Sequence, residues 1–130
     1  MNTLADLESK IQATESRTNS FLHTIERLFS GQKKLRNTEN ELHIELSNGD
    51  KLPLSNLSSG EKQLIRILLS VMTAGPNTIL IDEPELSMHI DWQREFVSTI
   101  QSLNEDCQLI IASHSPEVLA EISDDCIFKL

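Results

Sequence analysis

The sequence has little cysteine, and its arrangement does not indicate a metal site or a disulfide framework. Among the 130 residues there are two cysteines, Cys107 and Cys126, and both lie in apolar runs. Two cysteines this far apart provide no metal-ligand spacing. We expect reduced thiols in the core of a cytoplasmic protein, with a disulfide as the less favoured alternative.

No segment has the pattern of a membrane span or a secretory signal. The longest apolar run, Leu64 to Met72, is interrupted by Arg66 and is shorter than the ~20 residues that a spanning helix needs. The N-terminus MNTLADLESK is not basic, and no apolar core follows it. We therefore expect a cytoplasmic protein that does not contact a membrane.

Glycine is scarce, and its positions exclude one kind of phosphate site from this chain. The four glycines are Gly31, Gly49, Gly60 and Gly75, and none begins a G-x-x-x-x-G-K-[ST] loop. Such a loop surrounds phosphates with backbone N–H groups and adds a lysine. If this chain takes part in binding a nucleotide, another polypeptide segment must hold the β- and γ-phosphates.

Positive charge is scarce in most of the chain. The net charge is -9, and residues 1–37 hold six Lys/Arg against four Asp/Glu, a balance of +2. Residues 38–130 hold five against sixteen, a balance of -11. An acidic body disfavours direct binding to a phosphate backbone. We expect any DNA to be contacted only indirectly, through the N-terminal arm or a partner.

The first third of the chain predicts a long helix and a hairpin. Apolar residues recur at helical spacing from Leu4 to Phe29, with Gly31 as the predicted cap. Two alternatives are a helix packed on its own domain and one strand of a coiled coil. The polar residues 32–40 predict a connector. Alternation at 42–46 and 52–54 around Asn48-Gly49 predicts a hairpin with a two-residue turn and a structural role.

The remainder alternates strand and helix patterns, which predicts a parallel sheet covered by helices. The expected elements are a helix at 61–72, a strand at 78–82 buried on both faces, a helix capped by Asp91, a strand at 109–112, a short helix to Ile122 and a last strand at 126–130. The predicted fold class is α/β, with a partial parallel sheet flanked by helices and preceded by a β-hairpin and a long N-terminal helix.

Polar side chains follow both predicted parallel strands. Asp82 and Glu83 come directly after the apolar run TILI, and Pro84 ends that strand. Two carboxylates at a sheet edge can hold Mg²⁺ through oxygen ligands and orient or deprotonate a water. The alternative is a pair of solvated acids. His114 follows the second strand, where a lone histidine is usually hydrogen-bonded to a neighbour.

The segment Leu57–Gln63, read as LSSGEKQ, precedes a strongly helical run. Serine hydroxyls, a glycine and the free N–H groups of a helix start can bind an anion. The alternative is an ordinary N-terminal cap, since Ser before Glu is a common helix start.

Taken together and in this order, the motifs resemble the ATP-binding-cassette class of P-loop ATPases. The likeness is greatest to the SMC-like and RecF-like branch, which includes the ATPases of overcoming-lysogenization-defect (OLD) nucleases and proteins of phage defence and DNA repair. LSSGEKQ resembles the signature motif, TILIDEPE at 78–85 the Walker B motif, ELSMHIDWQ at 85–93 the D-loop region and IIASHSP at 110–116 the switch-histidine motif. The likeness covers residues 41–130, and Glu61 departs from the transporter form of the signature.

The resemblance implies a role for each matching residue, with ATP and Mg²⁺ as cofactors. Asp82 would ligate Mg²⁺ directly or through water, Glu83 would polarise the attacking water, and His114 would contact the γ-phosphate. The signature would contact the γ-phosphate of ATP bound to a second subunit, through Ser58, Ser59, Gly60 and Glu61. Positioning and charge neutralisation carry most of the catalysis in phosphoryl transfer, so these residue types suit it.

The resemblance also implies an incomplete head. Residues 1–38 look like the end of a coiled-coil or helical insertion, and residues 39–130 like the C-terminal lobe, while the Walker A half is absent. The chain would be a split subunit, a truncated gene product or an artificial fragment. Its expected partners are a Walker A-bearing half or second ATPase subunit, in a homo- or heterodimer, and a nuclease or toxin. Alone, it would hydrolyse ATP weakly or not at all.

Two other functions remain open from the sequence. The chain could be a catalytically inactive regulatory module that docks on an intact ATPase. It could also be a fragment that folds poorly, because its sheet has exposed edges.

Overall fold

The computed structural model describes residues 3–38 and 41–130, and the side chains of Thr3, Leu7, Lys10 and Ile11 lie outside that description. The chain forms two compact units, residues 1–56 and 57–130. In chain order, the helices and strands are α1 Thr3–Leu28, β1 Lys33–Thr38, β2 Glu41–Leu46, β3 Lys51–Pro53, α2 Ser59–Thr73, β4 Thr78–Asp82, α3 Ile90–Arg94, α4 Phe96–Leu103, β5 Gln108–Ala112 and α5 Pro116–Leu119. Single 3₁₀ turns lie at Leu54–Asn56, Pro84–Ser87 and Asp124–Cys126. The predicted α/β class is confirmed. The domain boundary at residue 38 stays a prediction.

Helix α1 is buried only near its C-terminal end. The described side chains from Leu4 to Ser20 are exposed. Four apolar residues in and just after the last turns are buried, and this part of the helix packs on β1: Phe21, Ile25, Leu28 and Phe29. The predicted seam positions Leu7 and Ile11 lie outside the described residues. Packing on its own unit is therefore shown for the last turns alone.

Two residues, rather than the predicted glycine alone, end α1. Ser30 has a left-handed backbone with φ 54°, and Gly31 follows with φ 70°. The N–H of Ser30 donates to the carbonyl of Arg27, and that of Gly31 to the carbonyl of Glu26. This is the Schellman pattern, in which two terminal carbonyls of the helix are satisfied.

The predicted connector at 32–40 is wrong over most of its length, because Lys33–Thr38 forms β1 (residues 39 and 40 lie outside the described part). This strand pairs antiparallel with β2, from Lys33 opposite Leu46 to Thr38 opposite Glu41. Leu35 is its one apolar residue, and it is buried beside the equally buried Ile44. One apolar side chain among charged and polar ones gives no strand periodicity.

The predicted hairpin is present between β2 and β3, with Glu45 opposite Lys51. Its turn has three residues instead of two: the N–H of Gly49 donates to the carbonyl of Leu46, and the N–H of Leu46 to the carbonyl of Asp50. Gly49 has φ 90°. The Asn48 amide donates to the Asp50 carboxylate and accepts from the Asp50 N–H, which favours the longer loop.

Strands β4 and β5 are parallel neighbours, with Leu80 opposite Ile110 and Asp82 opposite Ala112. The strand at 78–82 was expected to be buried on both faces, and this is wrong for the chain as it stands. Leu80 is 76% exposed and Ile110 is 49% exposed, whereas Ile81 on the other face is buried. Parallel sheets are normally covered on both faces, so one face here lacks its cover.

Helix α2 and helix α4 pack together and form the core of the second unit with Leu64, Leu68, Val71, Phe96 and Ile100. Asp91 does not cap a helix as predicted. It lies in the first turn of α3, where His89 is the N-cap residue. The single predicted helix is broken at Glu95, whose φ of -109° and ψ of 5° are not helical.

Near the C-terminus the structure has less regular secondary structure than predicted. Helix α5 ends at Leu119 instead of Ile122. The predicted strand at 126–130 is wrong, since residues 127–130 form no regular element and Phe128 is 85% exposed. A strand needs a neighbour to pair with, and the described residues offer none here.

The two cysteines are free, but only one of them is partly buried. Cys107 is half-buried and Cys126 is exposed, so the prediction of core thiols is wrong for Cys126.

Within the described part of the chain, no helix combines the length and the apolar character needed to cross a bilayer.

Candidate functional site

The end of β4 presents Asp82 and Glu83 beside the end of β5. The N–H of Glu83 donates to the carbonyl of Ala112 at 2.7 Å, which continues the parallel pairing by one residue. Glu83 then adopts a left-handed backbone, with φ 44° and ψ 57°. A residue before proline normally stays extended, and a left-handed backbone costs a residue with a side chain about 1–3 kcal/mol. Strain of this kind persists where the surrounding structure holds a side chain in a required direction.

The structure brings Glu83 and His114 together. Oε1 of Glu83 lies 3.5 Å from Nε2 of His114, and the side chains are 40% and 90% exposed, respectively. A carboxylate can accept a proton from a water, and an imidazole N–H can donate to an anionic oxygen. Both groups face solvent, so a substrate approaching from outside the chain can reach them.

Asp82 is exposed at the last position of β4, on the same face as Leu80. In the part of the chain that the structure describes, no three His, Cys, Asp or Glu side chains lie close enough to hold a metal ion by themselves. Mg²⁺ is usually bound by one or two carboxylates, with phosphate oxygens and waters as its other ligands. The exposed carboxylate of Asp82 therefore fits a Mg²⁺ site that a substrate completes.

A third carboxylate, Glu85, binds the loop that carries His114. Its Oε1 accepts the backbone N–H of His114 at 2.6 Å. Oε2 is buried and has no hydrogen-bond partner among the described residues. Burial raises the pKa of Glu85. The backbone N–H groups of Glu85 and His114, the Ser113 hydroxyl and the Ser115 N–H outweigh this effect, so the pKa lies below its usual value.

The loop at residues 113–115 has a second anchor, at Ser115. The Ser115 hydroxyl donates to Oε1 of Gln93 at 2.6 Å, and Nε2 of Gln93 donates to the carbonyl of Met88. Ser115 is buried and caps α5 by accepting the N–H of Val118, as its place before Pro116 predicts. Residues 85–93 and 113–115 are thus joined at two points.

The sequence did not single out a role for Glu85. The available signal was a third acidic residue in TILIDEPE. Its significance depends on residue 114 lying next to residue 85, and this proximity follows only from the pairing of β4 with β5.

The LSSGEKQ segment forms the start of α2, with Ser58 as the N-cap residue. Oγ of Ser58 accepts the N–H of Glu61, and the Glu61 carboxylate accepts the N–H of Ser58. This is the ordinary capping box that was the alternative to an anion site. Ser58 and Ser59 are exposed, and the Ser58 hydroxyl can still donate its hydrogen to an anion while it accepts from Glu61.

Gly60 lies against the turn that follows the acidic residues. A Cβ at this position would be 2.1 Å from the carbonyl oxygen of Ser87, which no side chain can tolerate without movement of the backbone. The glycine is therefore required by packing within the second unit, apart from any contact with a ligand. The LSSGEKQ segment thus adjoins Ser87 through Gly60, while Glu83, Glu85 and His114 lie together at the strand ends.

Solved structures with the same architecture are heads of SMC proteins. The chain matches "Crystal structure of the SmcHead bound to the C-winged helix domain of ScpA" with TM-score 0.64 and 17% identity, over 92% of this chain and 41% of that one. It matches "SMC head domain from Thermotoga maritima" with TM-score 0.58 and 22% identity, over 89% and 44%. The fold is that of P-loop ATPase heads.

Curated relatives carry ATPase names. "Retron Vc95 probable ATPase" of Vibrio cholerae is 28% identical over 74% of this chain, and "Retron Ec83 probable ATPase" of Escherichia coli is 26% identical over 99%. "Molybdenum import ATP-binding protein ModC" of Escherichia coli is 35% identical over 58% of the chain. The chain spans 21%, 27% and 21% of the length of these proteins, respectively.

The fold and these relatives define the class as the P-loop ATPases of the SMC-like and OLD-like branch. Residues 4–120 match the AAA_21 family, "AAA domain, putative AbiEii toxin, Type IV TA system", and the chain belongs to this family.

Proposed function

We propose that the chain is the C-terminal lobe of an ATP-hydrolysing head, completed by a Walker A-bearing half and by head-to-tail dimerisation. In this proposal Asp82 holds Mg²⁺, Glu83 polarises the attacking water and His114 contacts the γ-phosphate. Ser58 and the Gly60 N–H, within the signature segment that also includes Ser59 and Glu61, contact the γ-phosphate of ATP bound to the other subunit. Bound Mg²⁺ would neutralise phosphate charge during the transfer.

The observation that carries the proposal is the meeting of Glu83 and His114 at the ends of two neighbouring parallel strands. Their 3.5 Å contact is exposed, and Asp82 precedes it on the same strand. Ligands of open α/β sheets bind at the carboxyl ends of the strands. An acceptor for a water proton, a donor for a phosphate oxygen and a metal-binding carboxylate are the three groups that hydrolysis of a phosphoanhydride requires.

The exposed sheet face supports a missing half. Leu80 and Ile110 lie opposite each other and are largely exposed, although such a face is normally covered. The sequence has no loop for the β- and γ-phosphates. The SMC heads extend well beyond the matched region, since the chain covers 41% and 44% of them. A half that brings the phosphate loop would also cover this face.

The relatives suggest the biological setting. Two are retron ATPases, and the family description names a toxin and a toxin–antitoxin system. We infer that the ATPase cycle acts in phage defence in the cytoplasm, with a toxin or nuclease as effector partner. DNA repair is the second candidate, and the acidic charge of residues 38–130 leaves contact with DNA to a partner.

The Glu83→Gln variant of the complete protein tests the proposal. The amide keeps the shape of the side chain but cannot accept a proton from water, so we expect hydrolysis to fall about a hundredfold or more. ATP binding and ATP-driven dimerisation should remain, and the trapped dimer should be visible by size-exclusion chromatography.

The comparison needs a second glutamate variant as its control. Glu117→Gln changes an acid in the first turn of α5, where we assign no catalytic role, and its turnover should equal that of the wild type. Undiminished hydrolysis by Glu83→Gln would remove the catalytic role of Glu83. Docking onto a Walker A-bearing protein without any hydrolysis by the wild type would favour the regulatory module instead.

A further inference from the structure

We propose that Glu85 is the positioning residue for His114, holding the loop at residues 113–115 through the backbone N–H of His114 so that the imidazole stays beside Glu83. This inference rests on the proposed function, and it assigns a role to a side chain that contacts neither substrate nor metal in that proposal.

The carboxylate of Glu85 is hydrogen-bonded to the backbone of His114, the residue whose side chain it would orient. Oε1 of Glu85 accepts the His114 N–H at 2.6 Å, a short distance that is typical of a charge-assisted hydrogen bond. The His114 side chain is 90% exposed and so has little packing of its own. Because the described residues bury little of the imidazole, its position beside Glu83 depends on how firmly its backbone is held.

Because Glu85 lies two residues after Glu83, one short segment contacts both the side chain and the backbone of His114. Glu83 and Glu85 lie on either side of Pro84, which is buried. Glu83 approaches the His114 side chain from one side of the proline, while Glu85 holds the His114 backbone from the other. Residues 83–85 therefore fix the distance between the Glu83 carboxylate and the His114 imidazole.

The contact between Ser115 and Gln93 strengthens the same arrangement. It fixes the residue after His114 to α3, and Gln93 is fixed in turn to the carbonyl of Met88. His114 is thus held at its own N–H, and the residue that follows it is held as well. A displacement of about 1 Å at a reacting group can cost about a hundredfold in rate, so this bracing has a kinetic consequence.

The test compares two substitutions of Glu85 in the complete ATPase. Glu85→Met removes the acceptor while keeping side-chain length. We expect kcat to fall about ten- to a hundredfold, with KM for ATP changed less than about twofold. Glu85→Gln keeps an acceptor oxygen at Oε1 and puts its amide NH₂ where Oε2 has no described partner. We expect it to restore kcat to within about threefold of the wild type.

Glu121 provides the matched control. Its carboxylate also accepts backbone N–H groups, from Val97 at 2.8 Å and Ser98 at 3.3 Å, but at the start of α4. Glu121→Met should lower the melting temperature and leave kcat unchanged. If Glu85 were only structural, Glu85→Met would show that same pattern, and this would overturn the inference. Equal losses of kcat in the Met and Gln variants would also overturn it.

Hydrogen exchange at the His114 amide separates this inference from the proposed function. In the complete protein without nucleotide, the exchange should be slow in the wild type and Glu85→Gln and about tenfold or more faster in Glu85→Met. Unchanged exchange in Glu85→Met would overturn the positioning role even if the complete protein hydrolyses ATP. An enzyme without hydrolysis would contradict the proposed function, while the exchange result would still decide whether Glu85 holds the loop.

Discussion

At the scale of single residues, the left-handed backbone of Glu83 indicates a functional role more clearly than its side-chain type does. Among the described residues, two that are not glycine have a positive φ, Ser30 and Glu83. Ser30 ends a helix, where such a conformation is common. Glu83 has no such reason, because it follows a strand and precedes a proline. Its strain is better explained by the direction that its carboxylate must take toward His114.

Glu83→Gly should show this strain as a gain in stability. Glycine adopts a left-handed backbone freely, but it also adds freedom to the unfolded chain. We expect a net gain of about 0.5–1 kcal/mol in the free energy of unfolding, measured by urea denaturation. Ser30→Gly should give a similar gain. Only Glu83→Gly should abolish ATP hydrolysis by the complete protein, and a loss of stability there would argue against the strain.

The carboxylate of Glu85 should make stability depend on pH. Its pKa in the folded state lies below the unfolded value, so its contribution is fully present above the unfolded pKa of about 4.3. The contribution is lost as the pH falls through the lower folded pKa. The difference in melting temperature between the wild type and Glu85→Gln should shrink over that range. A difference that stays constant from pH 7 to pH 3 would contradict the assignment.

At the scale of elements, the start of α2 and the turn Pro84–Ser87 are fitted to each other through Gly60. Gly60→Ala would put a Cβ against the Ser87 carbonyl, so the two elements must separate. We expect a loss of about 1–3 kcal/mol in the free energy of unfolding. Ser59→Ala, at the neighbouring exposed position, should change it by less than about 0.5 kcal/mol. Equal stability of both variants would mean that Gly60 is not needed for packing.

Elements with a clear apolar pattern were predictable from the sequence, and elements that depend on a partner were not. The runs before Asp82 and Ser113 predicted β4 and β5, and the helical spacing after Gly60 predicted α2. Strand β1 was missed, because Leu35 alone is apolar and its register comes from β2. The strand at 126–130 was predicted from apolar residues that have no neighbouring strand in the described chain.

The site was predictable in part for the same reason. The carboxyl ends of adjacent parallel strands share one edge, so residues that follow β4 and β5 lie near each other, and the structure brings Glu83 and His114 to 3.5 Å. The hydrogen bond between Glu85 and the His114 backbone depends on the course of two turns. Sequence periodicity does not predict the conformation of turns. The left-handed backbone of Glu83 was unpredictable for the same reason.

At the scale of the whole molecule, the exposed sheet face bears on the proposal that a second half completes the head. A parallel sheet of two strands exposes Leu80 and Ile110, and the chain covers less than half of each SMC head. The sequence has no G-x-x-x-x-G-K-[ST] loop, while Glu83 and His114, which we propose to act at a terminal phosphate, are exposed. In the proposed function, one additional half would both cover this sheet face and supply the phosphate loop.

The most direct test is a structure of the complete Glu83→Gln protein with Mg²⁺ and ATP. We expect the β- and γ-phosphates to be held by a segment outside this chain. Nε2 of His114 should lie within about 2.6–3.2 Å of a γ-phosphate oxygen, with a water between that phosphate and residue 83. A nucleotide bound away from the ends of β4 and β5, with His114 and residue 83 facing solvent, would contradict the proposed site.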